Sequence, residues 1–333
     1  MEPKLSVELL TEQTVLTYLF GQGIVGENET ATVEILTGGV SNTVIAVSTS
    51  KQNIVIKQAL PELKVAEKWE ADQRRAIVEA DALKLFHSLS PDQVPELLFI
   101  DPNNFVLGME RVPLGSTVWK DDLLAGIYQP GIATILGRTL GQWHIFGETN
   151  RDSRAKFRED TLFEQLRVDP FYRFVAERNQ ALRAAIQGLI DELENDESSI
   201  VHGDFSPKNF MVSPTGNLFI LDFEVTHVGN PVFDLAFLLA HLLCKFFRAE
   251  ATADAKHLSL IAAEFLSEYE QLRALPSSLA KHTALIALAR VEGKSPVNYL
   301  NSNQQAKLQR FTKSVIMSDA YEPVSDLFEM MAR

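Results

Sequence analysis

A single cysteine, Cys244, stands in a chain of 333 residues. It excludes an intramolecular disulfide and fits a reducing compartment, where it reads as an inert core thiol. A membrane-spanning run is also missing, since a helical span needs about 20 apolar residues. The longest candidate, Val232 to Phe247, is shorter than that and contains Asp234, His241 and Lys245, so it reads as a buried helix. Cations are in deficit: 31 Lys and Arg against 44 Asp and Glu leave a net charge of −13. That balance speaks against a nucleic-acid partner and against a polybasic membrane contact. The first thirty residues carry neither the basic start nor the apolar core of a secretory leader. A cytoplasmic protein is expected, with no membrane or nucleic-acid partner, and a homodimer is compatible with these features. Internal repeats and low-complexity segments are absent too. Hydrophobic residues make up 46% and charged residues 23%, which supports real cores rather than extended disorder.

Two short apolar runs each deliver a carboxylate. The first, Ile200-Val-His-Gly-Asp204, continues through Phe-Ser-Pro-Lys to Asn209; the second, Leu218 to Leu221, ends at Asp222 and continues to Glu224. Asp204 is a candidate base, and Asn209, Asp222 and Glu224 offer oxygen ligands for a hard cation. Upstream, Ala31 to Leu36 and Val44 to Ser48 read as strands around the turn Thr37-Gly38-Gly39-Val40-Ser41-Asn42-Thr43, where glycines let backbone N–H groups approach an anion. A third strand, Asn53 to Gln58, places Val55 and Lys57 on one face and Ile54 and Ile56 on the other. Its terminal lysine is able to reach phosphate oxygens. A helix from Gln73 to Leu89 carries Glu79 at the edge of its apolar stripe, where a carboxylate wants a cationic partner such as Lys57.

Strands at Glu96 to Ile100 and Phe105 to Glu110 complete a mostly β first part, residues 1–110, preceded by a helix within residues 1–20. Residues 111–333 read as mostly helical, with continuous helices expected over 125–146 and 171–193 and further ones over 232–247, 255–272 and 280–291. Glycine cradle, cationic side chain, base and metal carboxylates together are what phosphoryl transfer needs.

At these residues the chain resembles the aminoglycoside phosphotransferase and choline kinase family, of protein-kinase-like fold. His202-Gly-Asp-Phe-Ser-Pro-Lys-Asn209 looks like that family's catalytic loop, with glycine where protein kinases carry arginine. Asp222-Phe-Glu224 sits where its metal carboxylates lie, and Asn230-Pro-Val-Phe-Asp234 looks like the helix start whose aspartate braces the loop. On pattern alone Asp234 is also a helix N-cap. The stretch Val55 to Val65, with Trp69 and Arg75 to Leu83, resembles the methylthioribose kinases.

The resemblance implies an α+β, bilobal fold with a small β-rich N-lobe and a larger mainly helical C-lobe. It also implies an ATP-dependent kinase that phosphorylates a hydroxyl of a small molecule, with Mg2+ as cofactor. Asp204 is then the catalytic base, His202 and Asp234 brace the loop, and Asn209, Asp222 and Glu224 bind metal. Lys57, held by Glu79, meets the α/β phosphates, and Gly38, Gly39, Ser41 and Asn42 cover the phosphates. Met109, Glu110, Arg111 and Val112 offer backbone bonds to adenine, against which Val55 packs. Trp69, Arg290 and Lys294 are candidates for the acceptor. Methylthioribose kinases carry an arginine pair for the sugar, whereas Thr283-Ala284 stands there in this chain, and a serine where it has Asn209. The acceptor stays open: a methylthioribose kinase and a nucleotide-binding regulatory module are the alternatives. A paired-carboxylate glycosidase leaves Lys57 and Glu79 unexplained, and a protein kinase lacks its usual arginine at Gly203.

Overall fold

The computed structural model describes residues 8–26, 29–36, 41–62, 71–250, 252–318 and 323–328. Gly38, Gly39 and Trp69 lie outside the described residues. The chain divides into two compact units, Met1–Leu114 and Gly115–Arg333.

The first unit is built on a five-stranded antiparallel sheet in the order β1-β2-β3-β5-β4. Its strands are β1 (Ala31–Ile35), β2 (Asn42–Thr49), β3 (Asn53–Ala59), β4 (Leu97–Asp101) and β5 (Val106–Glu110). β-Branched residues at alternate positions of β2 and β3 send Ile45, Val47, Ile54 and Ile56 into one core with Val15 and Leu19 of helix α1 (Val15–Gly21). The long helix α2 (Arg75–Leu89) packs against β3, β4 and β5.

Helix is shorter here than the periodicity of residues 1–20 implies. Among the described residues it begins only at Val15, because the hydroxyl of Thr14 accepts the N–H of Thr11 at 2.9 Å and holds that segment in a turn.

The second unit opens with the short strand β6 (Thr117–Val118) and helix α3 (Trp119–Leu124), followed by α4 (Ile132–Thr149) and α5 (Arg151–Lys156). The helix expected over 125–146 is interrupted at its start, since Gly126 and Gly131 have φ of 75° and 81° around Pro130. The helix expected over 171–193 is broken as well. A short turn α6 (Thr161–Phe163) runs into a π-helix, Glu164–Arg173, and then into α7 (Phe174–Arg178). Pro170 lies inside the π-helix, where its missing N–H prevents a regular α ladder. Asn179 then ends α7 by donating to the carbonyl of Val175. The chain re-forms a helix only at α8 (Arg183–Asn195).

Strands β7 (Ser199–Val201) and β10 (His227–Gly229) pair antiparallel, and β8 (Phe210–Val212) lies between β6 and β9 (Leu218–Ile220). The helices α9 (Val232–Ala249), α10 (Ala253–Glu270), α11 (Leu279–Glu292) and α12 (Ser302–Met317) complete the unit. Every residue of α9 from Val232 to Phe247 is buried, as its apolar sequence requires, against α10, α11 and α12. Burial pushes the Cys244 thiol up to about 11, so it is a protonated core group. No helix among the described residues is long and apolar enough to cross a membrane.

Candidate active site

In the first unit, β3 carries Lys57 opposite Leu107 of β5, and the first turns of α2 carry Glu79. The Lys57 ammonium lies 2.5 Å from a Glu79 carboxylate oxygen, and both residues are buried. Such a pair is stable only when each charge compensates the other. Arg75, which sequence reasoning left without a role, is fully buried and fastens the start of α2. Its guanidinium donates to the carbonyls of Ser41, Leu60, Ala71 and Asp72. Ser41 and Asn42 are buried beside it, with the Asn42 amide donating to the Ser41 hydroxyl. Val55 faces Met109 across the β3–β5 pair. Two of the backbone N–H groups expected to face adenine are already engaged: Glu110 donates to Glu96 and Arg111 to Asn53. The Arg111 guanidinium pairs with Glu34.

The second unit holds the loop His202–Asn209 between β7 and β8. Gly203 has a φ of 76°, and a Cβ there would meet the carbonyl oxygen of Val225 at 2.6 Å. Glycine is therefore required by both backbone sign and space. Asp234 accepts the N–H of His202 through Oδ2 at 2.7 Å and that of Gly203 through Oδ1 at 2.8 Å. It is not the N-cap of α9. The helix starts after Pro231, the side chain of Asn230 accepts the Val232 N–H, and the Asp234 carboxylate turns to the loop instead.

Behind Asp234 sits His144 of α4, 3.2 Å from its carboxylate through Nε2 and 2.8 Å from the Tyr269 hydroxyl through Nδ1. Burial works to raise the Asp234 carboxyl, but the hydrogen bonds from His144 and from the His202 backbone hold it below the ordinary value. Burial lowers His144 likewise, so it stays neutral.

His202 takes a defined tautomer. Its Nδ1 accepts the backbone N–H of Asp204 at 3.1 Å, so the proton resides on Nε2, which faces the Leu221 carbonyl at 3.2 Å. Burial pushes its pKa down. Both ring nitrogens are spent on backbone, which makes the residue a brace between the two carboxylate-bearing segments.

Asp204 is buried, with Nη2 of Arg167 at 2.9 Å and Nζ of Lys208 at 2.8 Å from Oδ2. Neither approach has the angle of an aligned hydrogen bond, and Oδ1 has no hydrogen-bond partner. Arg167 is a residue that sequence reasoning missed. It lies on the π-helix, 37 positions before Asp204, and its Nε also donates to the Gly203 carbonyl at 2.8 Å. The Asn209 amide donates to the Asp204 carbonyl at 2.9 Å, which leaves its Oδ1 as an acceptor. Asp222, at the end of β9, has a φ of 70°, a left-handed conformation that aspartate tolerates better than most residues. Glu224 is buried despite its place in a stretch that looked exposed. Lys294 is engaged with Asp169 at 2.6 Å, and Arg290 packs over the Phe171 ring. Thr283 and Ala284 are fully buried.

An antiparallel sheet with a buried strand lysine, and a helical unit with a braced aspartate loop and a strand-end aspartate, define a kinase-like α+β fold. The chain belongs to the phosphotransferase enzyme family, whose profile matches residues 32–275. Methylthioribose kinase 2 of Oryza sativa subsp. japonica is 25% identical over 257 residues, 69% of this chain and 60% of that protein. The chain thus spans less than two thirds of that relative's length. Among solved structures, choline kinase LicA from Streptococcus pneumoniae superposes with a TM-score of 0.51 at 15% identity, covering 92% of this chain and 98% of that one. Amicoumacin kinase hAmiN, in complex with AMP-PNP, Ca2+ and Ami, superposes with a TM-score of 0.58 at 14% identity, over 96% of this chain and 97% of that one.

Proposed function

We propose that this chain is an ATP-dependent kinase that phosphorylates a hydroxyl group of a small molecule. The observation that carries the reading is the state of Asp204. It is a buried carboxylate on a loop whose backbone is fixed at Gly203 and at Asp204 itself, with one oxygen left without a partner. In the reaction the acceptor hydroxyl oxygen forms a bond to the γ-phosphorus and the bond from phosphorus to the β-bridging oxygen breaks. The hydroxyl proton passes to Asp204, and ADP leaves.

The donor set of Asn209 Oδ1, Asp222 and Glu224 is all hard oxygen, as Mg2+ prefers. These residues would hold the metal, which supplies neutralising charge for the phosphates. Lys57, fixed by Glu79, serves the α/β phosphates, and Val55 with the segment Met109–Val112 serves the adenine. Since Glu110 and Arg111 spend their N–H groups in the sheet, the N–H that serves adenine is that of Val112. A cytoplasmic location, where ATP and Mg2+ are plentiful, suits this role.

The likeness to a methylthioribose kinase favours a second reading, in which methylthioribose is the acceptor. The buried Thr283 and Ala284 stand against it. The test of the kinase reading is Asp204→Ala in a coupled assay with MgATP. Turnover should be abolished while nucleotide affinity changes by less than about threefold; retained turnover would refute the role of Asp204 as base.

A further inference from the structure

Beside Asp204 the second unit holds an excess of positive charge that the phosphoryl-transfer roles do not use. His241 of α9 lies in the field of four cations, Arg290, Lys245, Lys208 and Arg167. Arg167, Arg290 and His241 share a frame of two phenylalanines, Phe171 and Phe237, with ring centroids 5.4 Å apart. Arg167 lies 5.6 Å over Phe237 and Arg290 lies 5.7 Å over Phe171, while His241 packs 5.2 Å from Phe237. One turn further along α9, Lys245 donates to the His241 carbonyl and sits 5.5 Å from the Tyr299 ring.

Asp234, His241 and Lys245 are spaced seven and four apart and so share one face of α9. The cluster therefore starts about 10 Å along the helix from the residue that holds the catalytic loop, a distance that a small metabolite bridges.

This charge is only partly compensated: Asp204 bears on Arg290 and Asp121 on Lys245, but neither forms an ion pair with it. Asp204 offsets one cation, but Arg290 and Lys245 pair with no carboxylate among the described residues. His241 Nε2, Arg290 Nε and the Tyr299 hydroxyl are all buried and have no hydrogen-bond partner. His241 and Lys245 are each more than nine-tenths buried. Buried polar atoms are normally satisfied, and adjoining buried cations repel one another. A chain with 13 surplus acidic charges has carboxylates to spare, yet among the described residues none is placed in ion-pair contact with Arg290 or Lys245. Burial and the neighbouring cation Arg290 bring Lys245 down to about 7.

Resting on the kinase reading above, we propose that the phosphate acceptor is an alcohol that carries an anionic group, a carboxylate or a phosphate, and that Arg290 and Lys245 hold that group. An anion supplies the missing counter-charge and acceptors for the idle donors at Arg290 and Tyr299. The hydroxyl end of the same molecule then lies toward Asp204. A cationic acceptor such as an amine, which the acidic net charge alone would favour, meets repulsion from every charged member of the cluster.

The test is a coupled assay with MgATP on the full chain and a panel of acceptors: glycerate, glycerol phosphate, methylthioribose, choline and an aminoglycoside. Turnover is expected with glycerate or glycerol phosphate, and which of the two is used separates carboxylate from phosphate. Arg290→Gln and Lys245→Met should raise KM for that acceptor tenfold or more with KM for ATP within twofold. Arg290→Lys should recover part of the loss, with melting curves confirming that each variant folds. Preference for choline, an aminoglycoside or methylthioribose, or an effect of Arg290→Gln on KM for ATP instead, overturns the proposal.

If MgATP binds and no acceptor on the panel is phosphorylated, the kinase reading is what fails. Calorimetric titration with malonate and with inorganic phosphate then decides the anion site separately. Saturable binding, weakened at least tenfold in Arg290→Gln, upholds it, and no binding to the unaltered chain sinks it.

Discussion

The carboxylate of Asp234, in the first turn of α9, accepts the backbone N–H of His202 at 2.7 Å and so ties a helix to the loop that presents Asp204. The same side chain takes the Gly203 N–H at 2.8 Å. Asp234→Ala removes the acceptor for two buried N–H groups at once. Each costs about 1–3 kcal/mol when left unsatisfied, so a loss of roughly 2–6 kcal/mol in a denaturant melt is expected. The more informative variant is Asp234→Asn, which keeps one acceptor and turns an NH2 toward the second donor. Its kcat should fall at least tenfold while nucleotide affinity holds. A variant with full kcat would show that the loop keeps its shape without this tie.

Lys57 and Glu79 make the corresponding test in the first unit. If Lys57 serves the phosphates as proposed, Lys57→Met removes a charge-assisted contact worth about 1.5–3 kcal/mol, or roughly 10- to 100-fold in ATP affinity. It also takes the ammonium away from a buried carboxylate, and breaking a buried pair usually costs about 3–5 kcal/mol of stability. Glu79→Gln leaves the lysine in place but loosely held, so its effect on ATP affinity should be smaller than that of Lys57→Met. Calorimetric ATP titration of the two variants gives the order. Equal affinity in Lys57→Met and the unaltered chain would remove the lysine from the phosphate site.

How far the sequence was legible follows from the range of the interactions. The run Val232 to Phe247 read as a buried helix because its apolar residues leave no polar face, and it is one. Lys57 and Glu79 could be matched because a strand pattern and a helix stripe each point one charged residue inward. Arg167 could not be found. Its partner Asp204 is 37 positions away, and it sits in a π-helix whose period no amphipathic template contains. His144 supports Asp234 across 90 positions and carries no local signature either. The N-cap reading of Asp234 erred for the same reason, since capping is judged locally and the carboxylate is drawn off by the loop. The expected helix over 171–193 failed where Pro170 and Asn179 broke a pattern that apolar spacing alone had joined.

Besides His202 in the loop, three further buried histidines give the protein a pH-dependent stability. His144, His227 and His241 all have pKa values lowered by burial, so each is neutral when folded and returns to about 6.5 when unfolded. Between the folded and unfolded pKa the unfolded chain binds more protons, and stability rises with pH across that window. The stabilisation is complete above about pH 7 and declines as pH falls below about 6.5, by up to roughly 1.4 kcal/mol per pH unit for each proton taken up on unfolding. Denaturant midpoints measured from pH 8 to pH 5 should therefore fall, most steeply at the acid end. A flat profile over that interval would mean that the three imidazoles are solvated in the folded chain.

Arg167 holds the loop by its geometry as much as by its charge. Nε donates to the Gly203 carbonyl at 2.8 Å, Nη1 to the Leu166 carbonyl at 2.7 Å, and Nη2 lies 2.9 Å from the Asp204 carboxylate. The planar fork thus sets Asp204 relative to its own backbone, which a single ammonium cannot do. Arg167→Lys keeps the positive charge that an anionic acceptor would meet and discards the fork. Its effect should therefore fall on kcat, with KM for acceptor and for ATP changed by less than about threefold. Misplacing a reacting group by an ångström costs on the order of 100-fold in rate, and a loss of that size in kcat is the expected result. A rise in acceptor KM at unchanged kcat would instead assign Arg167 to holding the acceptor, and the task of orienting Asp204 would then rest with Lys208 and the backbone.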